Sequence, residues 1–276
     1  MATVEWVGAT SGDVSVATNY AGGVAPVATD SVVAQVTPVN PMTTGTFPAL
    51  ADFTTTAAYN ADIGNSSGQP SFGNVTGVMK LGHRGNSKIS SSGTITRLKA
   101  ELTAGQTCTL LAGTTTRADV TGHGELVVGA SAVLTNGYLI AGAKLTAEAN
   151  GTAITLLDAG GQSVANVTGR NITTADVRDS FLTTKTTTAV ATGTFSGRSI
   201  YNKQTSATDT TINAKDHSIV TPSGKPYNAA TDITTLNLWS TATLVEATAG
   251  TTLTVGTKNI IGATGASQGS GGGLQN

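Results

Sequence analysis

Thr109-Leu110-Leu111-Ala112-Gly113, followed shortly by Val120-Thr121-Gly122, returns in the same chain as Thr155-Leu156-Leu157-Asp158-Ala159-Gly160, followed by Val167-Thr168-Gly169. An earlier copy of the tripeptide stands at Val75-Thr76-Gly77, so the three lie about 45 and 47 residues apart. Apolar residues here alternate over short runs and are punctuated by glycine, with no 3.6-residue stripe. A chain that repeats such a unit winds through one shape many times. Halving the interval gives roughly 23 residues, which at about 3.3 Å per residue makes one coil of three short strands and three corners. The reading is an all-β, right-handed parallel β-helix or β-solenoid. Val75, Val120 and Val167 form its interior rungs, and threonine ladders line its outer faces. A β-sandwich or jelly roll is the alternative fold.

Composition fits a narrow stacked interior. Of 276 residues, 38% are hydrophobic and only 4% aromatic, so the core is built from small side chains. Charged residues make up 11%, against roughly 25% in ordinary globular proteins. Thr, Ala, Gly and Ser fill the difference, and β-branched Thr suits a pleated surface. Net charge is −1 and no basic stripe exists, which argues against nucleic acid or an anionic membrane as partner. Lys80, His83, Arg84 and Lys88 are the one short basic group. Cys108 is the single cysteine, so neither an internal disulfide nor a Cys-based zinc site is expected. It reads as a buried strand thiol. The start Met-Ala-Thr-Val-Glu-Trp has no basic or apolar signal region, so the expectation is synthesis in a host cytoplasm without a signal peptide.

Four segments follow. Residues 1–72 hold five of the seven prolines and read as an opening strand, clearest at 30–36, with an irregular capping or assembly segment. Residues 73–200 carry the regular coils. Residues 201–245 concentrate charge at Asp209, Lys215, Asp216, His217, Lys225 and Asp232 and read as an irregular insertion or loop region. Residues 246–276 hold final strands and a Gly/Ser-rich tail.

The opening Trp6-x-Gly8, Gly12-Asp13-x-Ser15, Asn19-Tyr20-x-Gly22-Gly23, Pro26 and Asp30-Ser31-Val32-Val33 resembles the start of β-helical passenger segments in autotransporter-like bacterial adhesins. Tyr20 stands where that pattern has Trp. Composition and architecture are also similar to β-helical structural proteins of tailed-phage particles, both capsid decoration or cement proteins and tailspikes. That second likeness is at the level of the fold. It implies a virion location, a homotrimer and contact with the major capsid protein.

Catalytic constellations are sparse. Polysaccharide hydrolysis needs two carboxylates across a groove. The candidates are Asp119 with Glu125, Asp176 with Asp179, and a ladder that Glu101, Glu125 and Glu148 could form. All of these otherwise read as solvated corner residues. His83, His123 and His217 lack metal-ligand spacing and read as loop histidines. Gly-x-Ser-x-Gly occurs at Gly64-Asn65-Ser66-Ser67-Gly68 and Gly265-Ala266-Ser267-Gln268-Gly269, but neither opens a helical pattern, so no nucleophile elbow is read, and no phosphate loop occurs. No catalytic, cofactor-binding or metal residue is assigned and no cofactor is expected. The expected function is a non-enzymatic structural virion protein that trimerises and stabilises a phage shell, with Trp6, Tyr20, Phe47, Phe53 and Phe72 as interface candidates. The alternative is a carbohydrate-binding adhesin or tailspike-like receptor binder, with His217, Lys225, Tyr227 and Trp239 as contacts to surface glycans. A polysaccharide lyase or hydrolase is a second alternative.

Overall fold

The computed structural model describes residues 1–222, 231–239, 241–245, 247–248 and 251–262. The chain forms two compact units, Met1–Thr146 and Ala147–Asn276. Each is an all-β parallel solenoid, in which a strand pairs with the strand one coil earlier and one coil later. The parallel pairing excludes the sandwich and jelly-roll alternatives, whose sheets are antiparallel. Among the described residues the only helical element is the 3-10 turn Ala17–Asn19, and no helix is long and apolar enough to cross a membrane.

In the first unit the coils begin at once. Thr3–Glu5 pairs with Ser31–Ala34, which pairs with Phe53–Thr55. Residues 1–72 are therefore already wound. Their first coil is long, since the whole stretch from Thr3 to its partner Ser31 goes into it. Three long strands follow, Ser87–Leu102, Thr107–Gly122 and Glu125–Ile140. Each runs most of the way round a coil and bends where the register shifts, near Ser90–Thr94 and Leu110–Ala112. Alternate side chains point inward and stack in columns. Leu81, Ala100, Val120 and Leu139 form one, and Ile89, Leu110 and Val128 another. All seven are at most 2% exposed. Each such Leu, Ile or Val contributes about 1.5–3 kcal/mol through burial, so stability accumulates from many modest side chains.

The regular coils are shorter than the halved interval implies. Leu98 pairs with Ala118, and Val120 with Leu139, so a coil of the first unit takes roughly 20 residues, near the lower end for stacked repeats. In the second unit Ile172 pairs with Val190 and Val164 with Phe181, which is tighter still. Coils there hold two strands rather than three, for example Ile172–Arg178 and Phe181–Thr186. The Val-Thr-Gly copies are thus not two coils apart, and their valines sit in different columns: Val75 pairs with Ile95, and Val167 with Thr184. All three valines are nevertheless fully buried. The shared tripeptide marks a corner. At Gly122 φ is +90°, and an added Cβ would lie 2.2 Å from the carbonyl oxygen of Leu102 on the previous coil. An L side chain is strained at that φ and has no room there.

Residues 201–245 were expected to interrupt the coils, yet their described part continues them. Ile200–Thr205 pairs with Ile219–Thr221, and Asp209–Ala214 pairs with Ile233–Trp239. Paired residues lie 24 apart here, Asp209 with Ile233 and Ile219 with Thr243, and positions 223–230 between them lie outside the described residues.

Candidate functional site

Two outer faces and one interior cluster of the second unit carry the chemistry of interest. The strands Ile172–Arg178, Val190–Ser196, Asp209–Ala214, Ile233–Trp239 and Val255–Ile261 stack in register. On them Thr174, Thr192, Thr211, Thr235 and Thr257 form one outward column. Two residues on, Asn213, Asn237 and Asn259 form another. The Asn237 amide donates to the Asn213 side-chain oxygen at 2.8 Å, and Asn259 to Asn237 at the same distance.

The other stack presents an apolar row. Val164, Phe181, Ile200 and Ile219 lie one above another in register. Phe181 is 41% exposed and the other three are half-buried. Each row residue follows a buried serine: Ser163, Ser180, Ser199 and Ser218, all 0% exposed. The serines tie the corners together. Ser180 Oγ donates to the Arg178 carbonyl at 2.9 Å and accepts the Ser163 N–H at 3.1 Å. One or two residues ahead of each of them, Gln162, Asp179, Gly197 and Asp216 adopt φ of +49° to +66°, which turns the chain sharply. Exposed Arg198 and His217 flank the row and line a shallow cleft with Ile200 and Ile219.

The interior cluster lies beneath that face. Period-two alternation from Tyr201 points Lys203 inward, and both are fully buried, as is Asp209. Lys203 Nζ lies 3.2 Å from Asp209 Oδ2. The Tyr201 hydroxyl donates to the same oxygen at 2.6 Å, and the Val190 N–H donates to Oδ1 at 2.8 Å. Burial pushes the Asp209 carboxyl up, and the opposing pull of Lys203 and the hydrogen bonds does not cancel it. Burial, together with the charge of Asp209, likewise pushes the Tyr201 hydroxyl well up. This cluster escaped the sequence reading, which placed Asp209 in a loop. The alternation Tyr201-Asn202-Lys203 was the signal available.

The residues singled out from sequence are placed as follows. Trp6 and Tyr20 pack edge to face at 5.2 Å, and Phe47, Phe53 and Phe72 form a three-ring cluster with centroids 4.7–5.4 Å apart. All five are at most 2% exposed. As interface candidates they are corrected: their apolar area is consumed inside the first unit, and none offers a side chain to a partner. Of the glycan candidates, His217 is exposed, Trp239 is half-buried with Lys215 Nζ 5.3 Å from its ring, and Lys225 and Tyr227 lie outside the described residues.

The glutamate ladder does not form, because Glu101 pairs with Thr121 and Glu125 with Thr107. Glu101 forms an ion pair with Lys80 at 3.0 Å. Glu125 accepts the Thr146 hydroxyl at 2.6 Å. Asp119 is held by Arg97 at 2.6 Å and Arg117 at 2.7 Å. Burial raises the Asp119 carboxyl, but the two guanidinium groups outweigh it and hold the carboxyl below its ordinary value. Asp176 lies 3.6 Å from Arg178, and Asp179 accepts the Arg198 N–H.

His83 is buried rather than exposed, between the Thr55 hydroxyl at 2.8 Å and the Ser87 hydroxyl at 3.1 Å. His123 is exposed. Cys108 is fully buried, with its thiol pushed up to about 12 by desolvation. Among the described residues no group of three or more His, Cys, Asp or Glu is placed to hold one metal ion. Comparison with protein-family models, curated proteins and solved structures found no match to this chain.

Proposed function

We propose that this chain is a structural virion protein, a decoration or cement protein that trimerises and stabilises a phage shell. The observation that carries the reading is the in-register row Val164, Phe181, Ile200 and Ile219. A straight apolar row on a rigid sheet suits a repeated contact with a sister chain, because equal spacing lets every side chain meet an equivalent one. The row takes over the role first given to the buried aromatic residues. The Thr and Asn columns leave a polar, ordered second face for contact with shell subunits.

Light scattering of the purified chain and co-sedimentation with empty phage shells test this. A trimer that sediments with shells is the expected result, and Phe181→Asp with Ile219→Asp should dissociate it. A monomeric wild-type chain that leaves shells unbound overturns the reading.

Carbohydrate recognition is the second reading, favoured by one observation. The cleft of Arg198, Ile200, His217 and Ile219 sets a cation and an imidazole beside apolar surface. A glycan array in which Arg198→Ala and His217→Ala both abolish a signal would support it. An array without any signal removes it.

A further inference from the structure

We propose that Lys203 and Asp209 are joined by a side-chain amide, formed within the folded chain without an external enzyme. The two groups meet in the interior, where Nζ stands 3.2 Å from Oδ2 and both residues are 0% exposed. Nζ also donates to the Ala207 carbonyl at 2.5 Å, which fixes the end of the lysine chain beside the carboxylate. Tyr201 completes one wall, with Phe195 stacked on its ring at 4.8 Å. Asp232, a second carboxylate at 0% exposure, accepts the Asp209 backbone N–H on its own carbonyl at 2.8 Å.

A dry interior penalises the separated charges of an ion pair and favours proton transfer from ammonium to carboxylate, which yields an amine and an acid side by side. Burial raises the carboxyl in the same sense. Holding two reactants in contact can be worth an effective concentration of about 10⁵ M or more.

The arrangement assigns a part to each oxygen. The Val190 N–H points at Oδ1 and stabilises the charge that develops there as Nζ attacks Cγ. Oδ2 is the leaving oxygen, with the Tyr201 O–H donating to it at 2.6 Å. The Nζ–Cγ bond forms and the Cγ–Oδ2 bond breaks. Of the three hydrogens on the ammonium, one stays as the amide N–H and two depart with Oδ2 as water, passed by way of the Tyr201 hydroxyl. Nothing is oxidised or reduced. The product is neutral, which removes both buried charges and closes a covalent ring across the corner between the strands Ile200–Thr205 and Asp209–Ala214.

Trypsin digestion of the denatured full chain with tandem mass spectrometry tests the bond. Cleavage is expected after Arg198 and Lys215 but not after Lys203, giving a peptide of residues 199–215 lighter by one water. Lys203→Arg should restore cleavage at position 203 and the full mass. Asp209→Asn, nearly isosteric, should lose ammonia in place of water, and Tyr201→Phe should leave most chains unjoined. A wild-type chain cut after Lys203 at its full mass overturns the proposal, as does water loss that persists in Lys203→Arg. Neither result bears on trimer formation or shell binding.

Discussion

His83 illustrates how a single residue couples this fold to pH. It stands among Thr55, Ser87 and the ring of Tyr59, 5.7 Å away, and its carbonyl accepts the Gln106 amide at 3.0 Å. Desolvation lowers its affinity for a proton below the ordinary 6.5, against smaller opposing contributions from the Asn86 backbone and Asp62. The unfolded chain therefore binds more protons than the folded one as pH falls below 6.5. Stability from the neutral imidazole is fully present above 6.5 and is lost as pH drops from there through the lower folded value. Urea unfolding of the full chain, followed at the first unit, should show stability falling over that window. His83→Gln should flatten the fall, and an unchanged slope in the variant would count against this account. The burial of His83 was hard to read from sequence, since Lys80, Arg84 and Lys88 surround it with charge. Val75, Val120 and Val167 were the opposite case. Their burial was legible because each is an apolar residue before an outward Thr, while their spacing misled because the tripeptide marks corners rather than coils.

Corners hold the elements in register, and the buried serines hold the corners. In the second unit Gln162-Ser163-Val164, Asp179-Ser180-Phe181, Arg198-Ser199-Ile200 and His217-Ser218-Ile219 recur once per coil. Their spacing is the coil length itself, written in a pattern only two residues deep: serine, then an apolar residue. The longer Val-Thr-Gly match drew attention away from it. Ser180→Ala removes a donor to Arg178 and strands the buried N–H of Ser163. The expected cost is about 1–3 kcal/mol. Chemical denaturation should register it, and the Ser163 amide should exchange with deuterium faster than in the wild type. Thr183→Ala, on the outer face of the neighbouring strand, should stay within about 0.5 kcal/mol. Equal effects from the two substitutions would show that the serine column is not what fixes the corner.

At the scale of the whole chain, each unit is a stack in which a coil touches mainly its immediate neighbours. That locality was legible from the repeat, and the parallel pairing followed from it. Coil lengths were not, because no single period describes them. They contract from the wide turn that sets Ser31 on Thr3 to the narrow one that sets Phe181 on Val164, and Asp209 and its partner Ile233 lie 24 apart. A stack of this kind is quasi-one-dimensional, so damage should remain near its origin. Leu182 is fully buried, between Ala165 of the previous coil and Tyr201 of the next. Leu182→Ala should cost about 2–5 kcal/mol, through lost burial and an incompletely closed cavity. Native-state hydrogen exchange should then accelerate at Ala165, Leu182 and Tyr201. Leu236, in the same unit but on the strand Ile233–Trp239, should keep its wild-type protection to within a few-fold. Uniform acceleration at all four amides would mean that the unit unfolds as one cooperative block, and the nearest-neighbour description of its stability would have to be abandoned.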